Sequence, residues 1–183
     1  MTIADQLRKT NRAEYLLYMW QVEDLLRAYG LDADRLAAEY LCRFDLTDEK
    51  RAQTEQWYAD LCRMMQQEGL REKGHLQIVQ QALQQLEELH AQLLNSPRFP
   101  YYREMYYRVL PYIVELRAKQ KPAPSDTESE LHTCFGLLYG VLMLRLQHKP
   151  VSAETEKAVK DISTLLGQLS DYYFKDKQEP IEF

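Results

Sequence analysis

The stretch AVKDISTLLGQLSDYY, Ala158–Tyr173, shows the helical pattern of this chain most plainly. Its apolar residues recur at steps of three and four, which places them on one face of an α-helix. They are Ala158, Val159, Ile162, Leu165, Leu166, Leu169, Tyr172 and Tyr173. Ser152 can cap this helix at its start, and the pattern predicts that the helix ends near Phe174 with its apolar face against a core.

Similar segments fill the rest of the chain, separated by glycine, proline and capping residues. The sequence predicts six to seven helices, with approximate bounds 3–29, 32–44, 47–68, 75–94, 98–121, 128–149 and 152–174. It shows no alternating strand pattern and no internal repeat. We therefore expect an all-α fold, a single-domain bundle over residues 1–175 that is followed by a polar C-terminal tail, 176–183.

Two predicted helices are apolar around more than half of their circumference. The first contains EYLLYMWQVEDLLRAY, Glu14–Tyr29, and the sixth contains CFGLLYGVLML, Cys134–Leu144. Such helices are typical of a protein interior, so both are expected near the centre of the fold. The run in the sixth helix is too short to cross a bilayer, which needs about 20 residues. Its Gly136 and Gly140 have the spacing that lets a neighbouring helix approach closely.

The composition is that of a folded protein and not of a disordered chain, with 45% hydrophobic and 28% charged residues. The net charge of −5 argues against a general nucleic-acid binder. Cys42, Cys62 and Cys134 are widely spaced and odd in number, so they predict no disulfide framework. The start of the chain, MTIADQLRKTNR, lacks the apolar core of a secretory signal. We expect a cytoplasmic protein without membrane association.

The segment RFPYYREMYYRVLPYIVELRAKQK, residues 98–121, carries five tyrosines and a net charge of +4, whereas the rest of the chain carries −9. A helical wheel places its apolar residues on one stripe, which Tyr107, Leu110 and Val114 extend, and places Pro111 on the polar side. Most of the tyrosines are therefore expected to face inward. The stripe consists of Tyr102, Met105, Tyr106, Val109, Ile113 and Leu116. RNA binding through this helix needs aromatic and cationic side chains on one exposed face, so it is the weaker alternative.

Arginines interrupt two of the apolar surfaces. Arg117 and, less closely, Arg103 lie in or beside the stripe of the fifth helix, and Arg145 does the same in the sixth. A buried arginine needs a carboxylate, a carbonyl or a bound anion, and Glu14, Glu23 and Asp24 of the first helix are candidates for internal pairing. An ion-pair network within the fold is the preferred interpretation. The alternative is an anion pocket, because the guanidinium fork binds carboxylate or phosphate bidentately. That pocket would consist of Arg103, Arg117, Arg145, Tyr106, Tyr107, Glu14 and Asp24.

Glu87 and His90 have the Glu-x-x-His spacing of di-iron bundles. A complete second pair is missing, because Glu72 and His75 lie on either side of Gly74 in a predicted turn. His90 also continues an apolar stripe, so a core histidine is preferred to a metal ligand. The stripe contains Val79, Leu83, Leu86 and Leu93. No Gly-rich phosphate loop or nucleophile elbow is present. We expect no cofactor, and enzymatic activity is not favoured.

Five long phrases resemble an uncharacterised family of Bacteroidota proteins, domain of unknown function 4924. They are NRAEYLLYMWQVEDLLRAYGLD, EKGHLQ, SPRFPYYREMYYRVLPYIVELRAK, TCFGLLYGVLMLRLQHKPVSAET and LSDYYFKDK. The resemblance extends over nearly the whole chain and implies a stand-alone cytoplasmic protein. It transfers no catalytic residue, ligand or activity.

The function that we expect is therefore that of a non-enzymatic interaction or small-ligand-binding protein. Its partner is an unknown protein, a small anionic ligand or a second copy of the chain, since a homodimer would bury surplus aromatic surface. The alternative is a nucleotide- or anion-binding protein or enzyme that uses a Tyr/Arg pocket, with Arg117, Arg145 and Glu14 as its principal residues.

Overall fold

The structure is a computed structural model that describes residues 2–120 and 128–183. Within these ranges it contains eight α-helices, one 3-10 turn and no strand, which confirms the predicted all-α class. The helices are α1 (Ile3–Thr10), α2 (Arg12–Ala28), α3 (Ala33–Glu39), α4 (Asp48–Gln67), α5 (Gln77–Asn95), α6 (Pro100–Lys119), α7 (Glu130–Leu146) and α8 (Ala153–Gln178), with the 3-10 turn at Leu41–Arg43.

The chain divides into two compact units. The first consists of Met1–Gln6 and Tyr18–Gln81, and the second consists of Leu7–Leu17 and Ala82–Phe183. The boundaries fall inside α1, α2 and α5, so each of these helices contributes residues to both units. That the chain is a single domain stays a prediction.

The predicted count of six to seven helices is wrong for the described residues, because the predicted first helix breaks at Asn11. The Asn11 N–H donates to the Leu7 carbonyl at 2.8 Å, and the Asn11 side chain accepts from the Glu14 N–H at 3.1 Å. Asn11 thus ends α1 and caps α2. The sequence does carry this signal, since an asparagine followed three residues later by glutamate is a capping-box pattern.

Three helices end in a residue with positive φ. Gly30 and Gly69, at φ 70° and 71°, follow the last turns of α2 and α4, which confirms the predicted ends of these helices. At the end of α7 the same position is held by His148, at φ 55°, and the Lys149 N–H donates to the Leu144 carbonyl at 2.9 Å. This hydrogen bond closes a Schellman motif, which usually contains glycine because other residues are strained there.

The last helix is longer than predicted. It continues to Gln178 instead of ending near Phe174, so the first three residues of the predicted tail, 176–178, are helical. Polar residues do not stop a helix, whereas Pro180 disfavours the helical conformation of the residue before it. Beyond α8, the Glu182 carbonyl and carboxylate accept from Arg98 at 3.0 and 3.1 Å.

In the second unit, α6 packs against α7 and α8, and these two helices also pack against each other. Four of the six residues of the predicted α6 stripe and five of the eight residues of the predicted α8 stripe are buried there, and Pro111 of α6 is exposed, as predicted. The buried residues are Tyr102, Met105, Val109 and Ile113 of α6, and Ala158, Ile162, Leu165, Leu166 and Leu169 of α8.

In the first unit, the buried Glu23 of α2 has internal partners. Its carboxylate accepts from the Leu76 N–H at 2.8 Å and lies 2.6 Å from His75 Nδ1. The His75 ring stacks on Trp20 at a centroid distance of 4.4 Å. The sequence makes Glu23 a candidate partner for an arginine, and the structure gives it a backbone amide and a histidine instead.

The interior position predicted for α7 holds only for its first half. Leu131, Cys134 and Phe135 are buried, whereas in the second half Val141 alone is buried and Leu146 is 62% exposed. The reason is that the neighbouring helices cover the start of α7 and leave much of the apolar surface beyond Phe135 uncovered. The apolar run is therefore half-exposed over more than two helical turns.

All three cysteines are free, Cys42 exposed and Cys62 and Cys134 buried. Among the described residues, no helix combines the length and the apolar character that crossing a membrane requires.

Candidate functional site

Side chains of α5, α6 and α7 meet around the first turns of α7 in the second unit, and we call this group the polar cluster. Ser129 starts α7 there, because its side chain accepts from the His132 N–H at 3.0 Å and caps the helix. The polar cluster consists of Glu87, His90, Tyr102, Tyr106, Arg117, Ser129, Glu130, Thr133 and Cys134.

Arg117 is half-buried and has neutral partners. Its Nε donates to Thr133 Oγ1 at 3.1 Å, and its Nη2 donates to the Glu128 carbonyl. Of the acceptors that the sequence left open, the structure thus supplies a hydroxyl and a carbonyl. Arg117 also lies in the last turn of α6, where the helix dipole stabilises a positive charge.

Tyr106 donates its hydroxyl to Glu130 at 2.8 Å. Burial raises the pKa of Tyr106 to about 12, and the bond to Glu130 adds to this shift. The inward orientation predicted for Tyr107 and Val114 is wrong, because each is 60% exposed. Only the part of α6 that faces α7 and α8 is covered, and this part is narrower than the apolar arc on the wheel.

His90 is a core histidine, as predicted, and it is only 8% exposed. Its Nδ1 lies 2.6 Å from the Tyr102 hydroxyl, and its Nε2 has no hydrogen-bond partner within residues 2–120 and 128–183. Burial lowers the pKa of His90 to about 4, so the ring is neutral at pH 7. Burial also raises the pKa of Tyr102.

Glu87 and His90 have separate partners, because the Glu87 carboxylate accepts from the Ser129 hydroxyl. In the part of the chain that the structure describes, no group of three or more His, Cys, Asp or Glu side chains is placed to hold a metal ion. The di-iron spacing of these two residues thus serves two different hydrogen bonds.

The chemistry of the polar cluster follows from its protonation. Burial raises the pKa of the Cys134 thiol to about 12, so this cysteine is not a thiolate at neutral pH. His90 is neutral and Tyr106 is protonated under the same conditions. A general base or nucleophile needs a pKa near the working pH, and none of these three groups has one. The hydrogen bonds instead fix how α5, α6 and α7 pack on one another.

Arg103 and Arg145, two other predicted site residues, have partners elsewhere in the second unit. Arg103 donates to the Ser96 carbonyl at 2.6 Å, just beyond the end of α5. Arg145 pairs with Glu156 of α8 at 2.6 Å in an exposed position. From Thr133, the partner of Arg117, to Arg145 the helix rises by about 18 Å, so Arg117 and Arg145 do not converge.

Glu14 and Asp24 also lie outside the polar cluster. Glu14 is an exposed residue of the first turn of α2, and Asp24 pairs with Arg27 at 2.7 Å in the first unit. Of the seven residues of the predicted anion pocket, only Tyr106 and Arg117 bind the first turns of α7. Anion binding by any of them stays a prediction.

The cations of α6 that an RNA interface would need are bound within the protein. Arg108 pairs with Glu104 at 3.2 Å, and Lys119 pairs with Glu115. Tyr101 and Tyr107 are exposed, but Arg108 and Lys119 are shared with carboxylates and Arg103 with a backbone carbonyl. RNA binding through residues 98–121 stays the weaker prediction, and Lys121 lies outside the described residues.

Two features of the structure are not predicted by the sequence. One is Arg12, a buried arginine of the second unit. Its only sequence signal is that it follows the cap Asn11 and begins an apolar helix. The other is a cleft of about 470 Å³ in the first unit, with Asp32, Arg63 and Arg71 among its lining residues. These three side chains are exposed, so the cleft lacks the desolvated polar groups that typify ligand sites.

Comparison with curated proteins and with solved structures returned no match. The model of the family described as "Domain of unknown function (DUF4924)" matches residues 1–180. This range includes both units apart from the last three residues of the chain. The protein therefore belongs to the DUF4924 family.

Proposed function

We propose that this protein is a non-enzymatic interaction protein that forms a homodimer through one face of α7. The observation that carries the proposal is that α7 is the most apolar helix of the described residues and yet is only partly covered beyond Phe135. We call this surface the α7 face. It consists of Gly136, Gly140, Met143 and Leu146.

The α7 face has the spacing of a helix–helix contact. Its members recur at steps of three and four residues, which places them within about 120° on the helix. Gly136 and Gly140 are exposed, and a Cβ added to either would meet nothing within 4 Å. Glycine destabilises an exposed helix by about 1 kcal/mol relative to alanine. A second helix that packs against the backbone of both glycines would offset this cost, because glycine lets it approach closely.

The charges at the ends of α7 favour a second copy of the same helix. Glu128 and Glu130 lie at its start, and Arg145 and Lys149 lie at its end. A twofold axis that passes between the two glycines brings the acidic start of one α7 toward the basic end of the other, while Glu130 and Arg145 keep their partners within the fold. The same antiparallel arrangement opposes the two helix dipoles favourably. A parallel pair would bring like charges together.

The area of the α7 face determines how tightly we expect the homodimer to associate. Seventeen residues of α7 form a strip about 25 Å long and about 10 Å wide, or about 250 Å². Stable dimers bury about 800 Å² per partner. The proposed homodimer is therefore weak and depends on protein concentration.

Sedimentation velocity over a range of protein concentrations tests the proposal. Wild type should shift from the mass of a 21.7 kDa monomer toward twice that mass as the concentration rises. Gly140→Leu should remain monomeric, because its side chain occupies the space that the second helix needs. Gly167→Leu is the matched control, since Gly167 of α8 also has open space around it.

Two outcomes would contradict the proposal. One is a wild-type protein that stays monomeric up to millimolar concentration, and the other is a Gly140→Leu variant that dimerises as wild type does. A circular-dichroism spectrum of each variant verifies that the helices are intact.

A further inference from the structure

Arg12 carries a positive charge in a position where three separate effects disfavour it. It is only 7% exposed, and burial lowers the pKa of its guanidinium. It is the first residue of α2, where the helix dipole repels a cation. Arg8 lies close enough to add a repulsion between like charges. An arginine under these conditions calls for an opposite charge.

The partners that the protein supplies to Arg12 are all neutral. Its Nη2 donates to the Gln85 side-chain carbonyl at 2.7 Å. Its guanidinium carbon lies 5.1 Å from the ring centroid of Tyr173 and 5.5 Å from that of Tyr15. Its Nε has no hydrogen-bond partner, and no carboxylate pairs with it, anywhere in residues 2–120 and 128–183.

These partners are themselves held in place. The Tyr173 hydroxyl donates to the same Gln85 oxygen at 3.0 Å, and the Arg12 backbone N–H donates to Ser170 Oγ at 2.8 Å. The guanidinium is thus fixed between α2, α5 and α8 of the second unit. Fixed donors bind an anion well because little conformational freedom is lost on binding.

Two exposed cations lie near Arg12 or its tyrosine partner. Arg8 lies four residues before Arg12, in α1, and acts on it electrostatically, and Lys177 Nζ lies 5.6 Å from the centroid of the Tyr173 ring. Arg12 and Lys177 therefore share the Tyr173 ring, and Arg8 adds a third positive charge near Arg12, in a chain whose net charge is −5. We infer that Arg12, Arg8 and Lys177 form a binding site for a phosphate group.

Phosphate fits this site better than a carboxylate does. A phosphate dianion matches the charge of three cations more closely, and its oxygens can accept from the planar guanidinium and from the ammonium group together. The same chemistry is offered by inorganic phosphate and by a phosphate ester of a small molecule. This site does not depend on the α7 face, so it stands or falls separately from the proposed homodimer.

Thermal unfolding at constant ionic strength tests the inference, with inorganic phosphate, glycerol phosphate, acetate or chloride as the varied anion. The melting temperature of wild type should rise with phosphate and level off as one site saturates. A larger rise with glycerol phosphate would identify an ester as the better ligand. Isothermal titration calorimetry should give one phosphate per chain.

Variants of these residues distinguish a specific phosphate site from nonspecific attraction of phosphate to surface charge. In Arg12→Met the phosphate effect should disappear, while the melting temperature in chloride should equal or exceed that of wild type. Lys177→Met changes an exposed residue, so it should fold and should weaken phosphate binding at least threefold. Arg43→Met removes an exposed arginine of the first unit and should bind phosphate as wild type does.

The inference is overturned if phosphate stabilises wild type no more than chloride does, or if acetate saturates the protein and phosphate does not. It is also overturned if Arg12→Met and Lys177→Met keep the full phosphate effect, which would mean an adventitious ion only. If Arg12→Met does not fold, the comparison of Lys177→Met with Arg43→Met decides the question.

Discussion

Glu23, His90 and Arg12 are buried ionisable residues, and each has a different kind of partner for its charge or lone pairs. Glu23 accepts from a backbone amide and lies against a histidine. His90 stays neutral because burial lowers its pKa to about 4. The position of His90 in the core could be predicted from the apolar stripe of its helix. The surroundings of Arg12 could not, because Gln85 and Tyr173 lie far from it in the sequence.

The neutral state of His90 predicts a loss of stability in acid. Its pKa is about 4 in the folded chain and about 6.5 in the unfolded chain, so only the unfolded chain binds the proton between these values. The contribution of His90 is fully present above pH 6.5 and is lost as the pH falls toward 4, by at most about 3 kcal/mol.

The measurement is the free energy of unfolding in urea, from pH 7.5 to pH 4.5, for wild type and for His90→Gln. Tyr102, Tyr106 and Glu130 face His90 in both proteins, and the carboxylates are the same, so the difference between the two curves isolates the histidine. Wild type should lose more stability than the variant. Parallel curves would show that His90 does not titrate in this range.

At the scale of the helices, the ends of α2 and α4 could be predicted from Gly30 and Gly69. Their φ angles of 70° and 71° are easily adopted by glycine and are strained for a residue with a Cβ. The break at Asn11 is equally local, because Asn11 and Glu14 form the capping pattern that ends α1 and begins α2. The orientation of Tyr107 could not be predicted, because a helical wheel gives the direction of a side chain and not the presence of a neighbour. The same reason applies to Val114.

His148 offers a test of helix termination. It holds a φ of 55° at the end of α7, which costs a residue with a Cβ about 1 kcal/mol. His148→Gly should therefore raise the free energy of unfolding by about 1 kcal/mol. Gln147→Gly is the control, since Gln147 has a φ of −87° and glycine there adds only unfolded-state freedom. An equal effect of both substitutions would argue against strain at His148.

At the scale of the whole molecule, the sequence predicts two interior helices, and the structure covers α2 more completely than α7. The apolar surface of α2 is buried at Leu16, Met19, Val22 and Leu26, whereas α7 is half-exposed after its first turns. A hydrophobic surface is expected to be covered, but its hydrophobicity does not show whether the same chain or a second chain covers it. For this reason the all-α class could be predicted from the sequence, and the uncovered half of α7 could not.

Self-association also predicts a melting temperature that depends on protein concentration. Dimerisation stabilises the folded chain by mass action, and each tenfold rise in concentration adds about 1.4 kcal/mol per dimer. For a chain of this size the melting temperature should rise by about 1–3 °C per tenfold step. Gly140→Leu should melt at the same temperature throughout. A constant melting temperature for wild type would contradict dimerisation in this range.

The distribution of the three cysteines has a practical consequence. Cys42 is exposed, while Cys62 and Cys134 are buried, and burial raises the pKa of both buried thiols, which makes them poor nucleophiles. A maleimide probe should therefore attach to the native chain at Cys42 alone, without any substitution. Each copy then carries one label at one known position. In a homodimer, the distance between the two spin labels then measures the separation of Cys42 in one copy from Cys42 in the other.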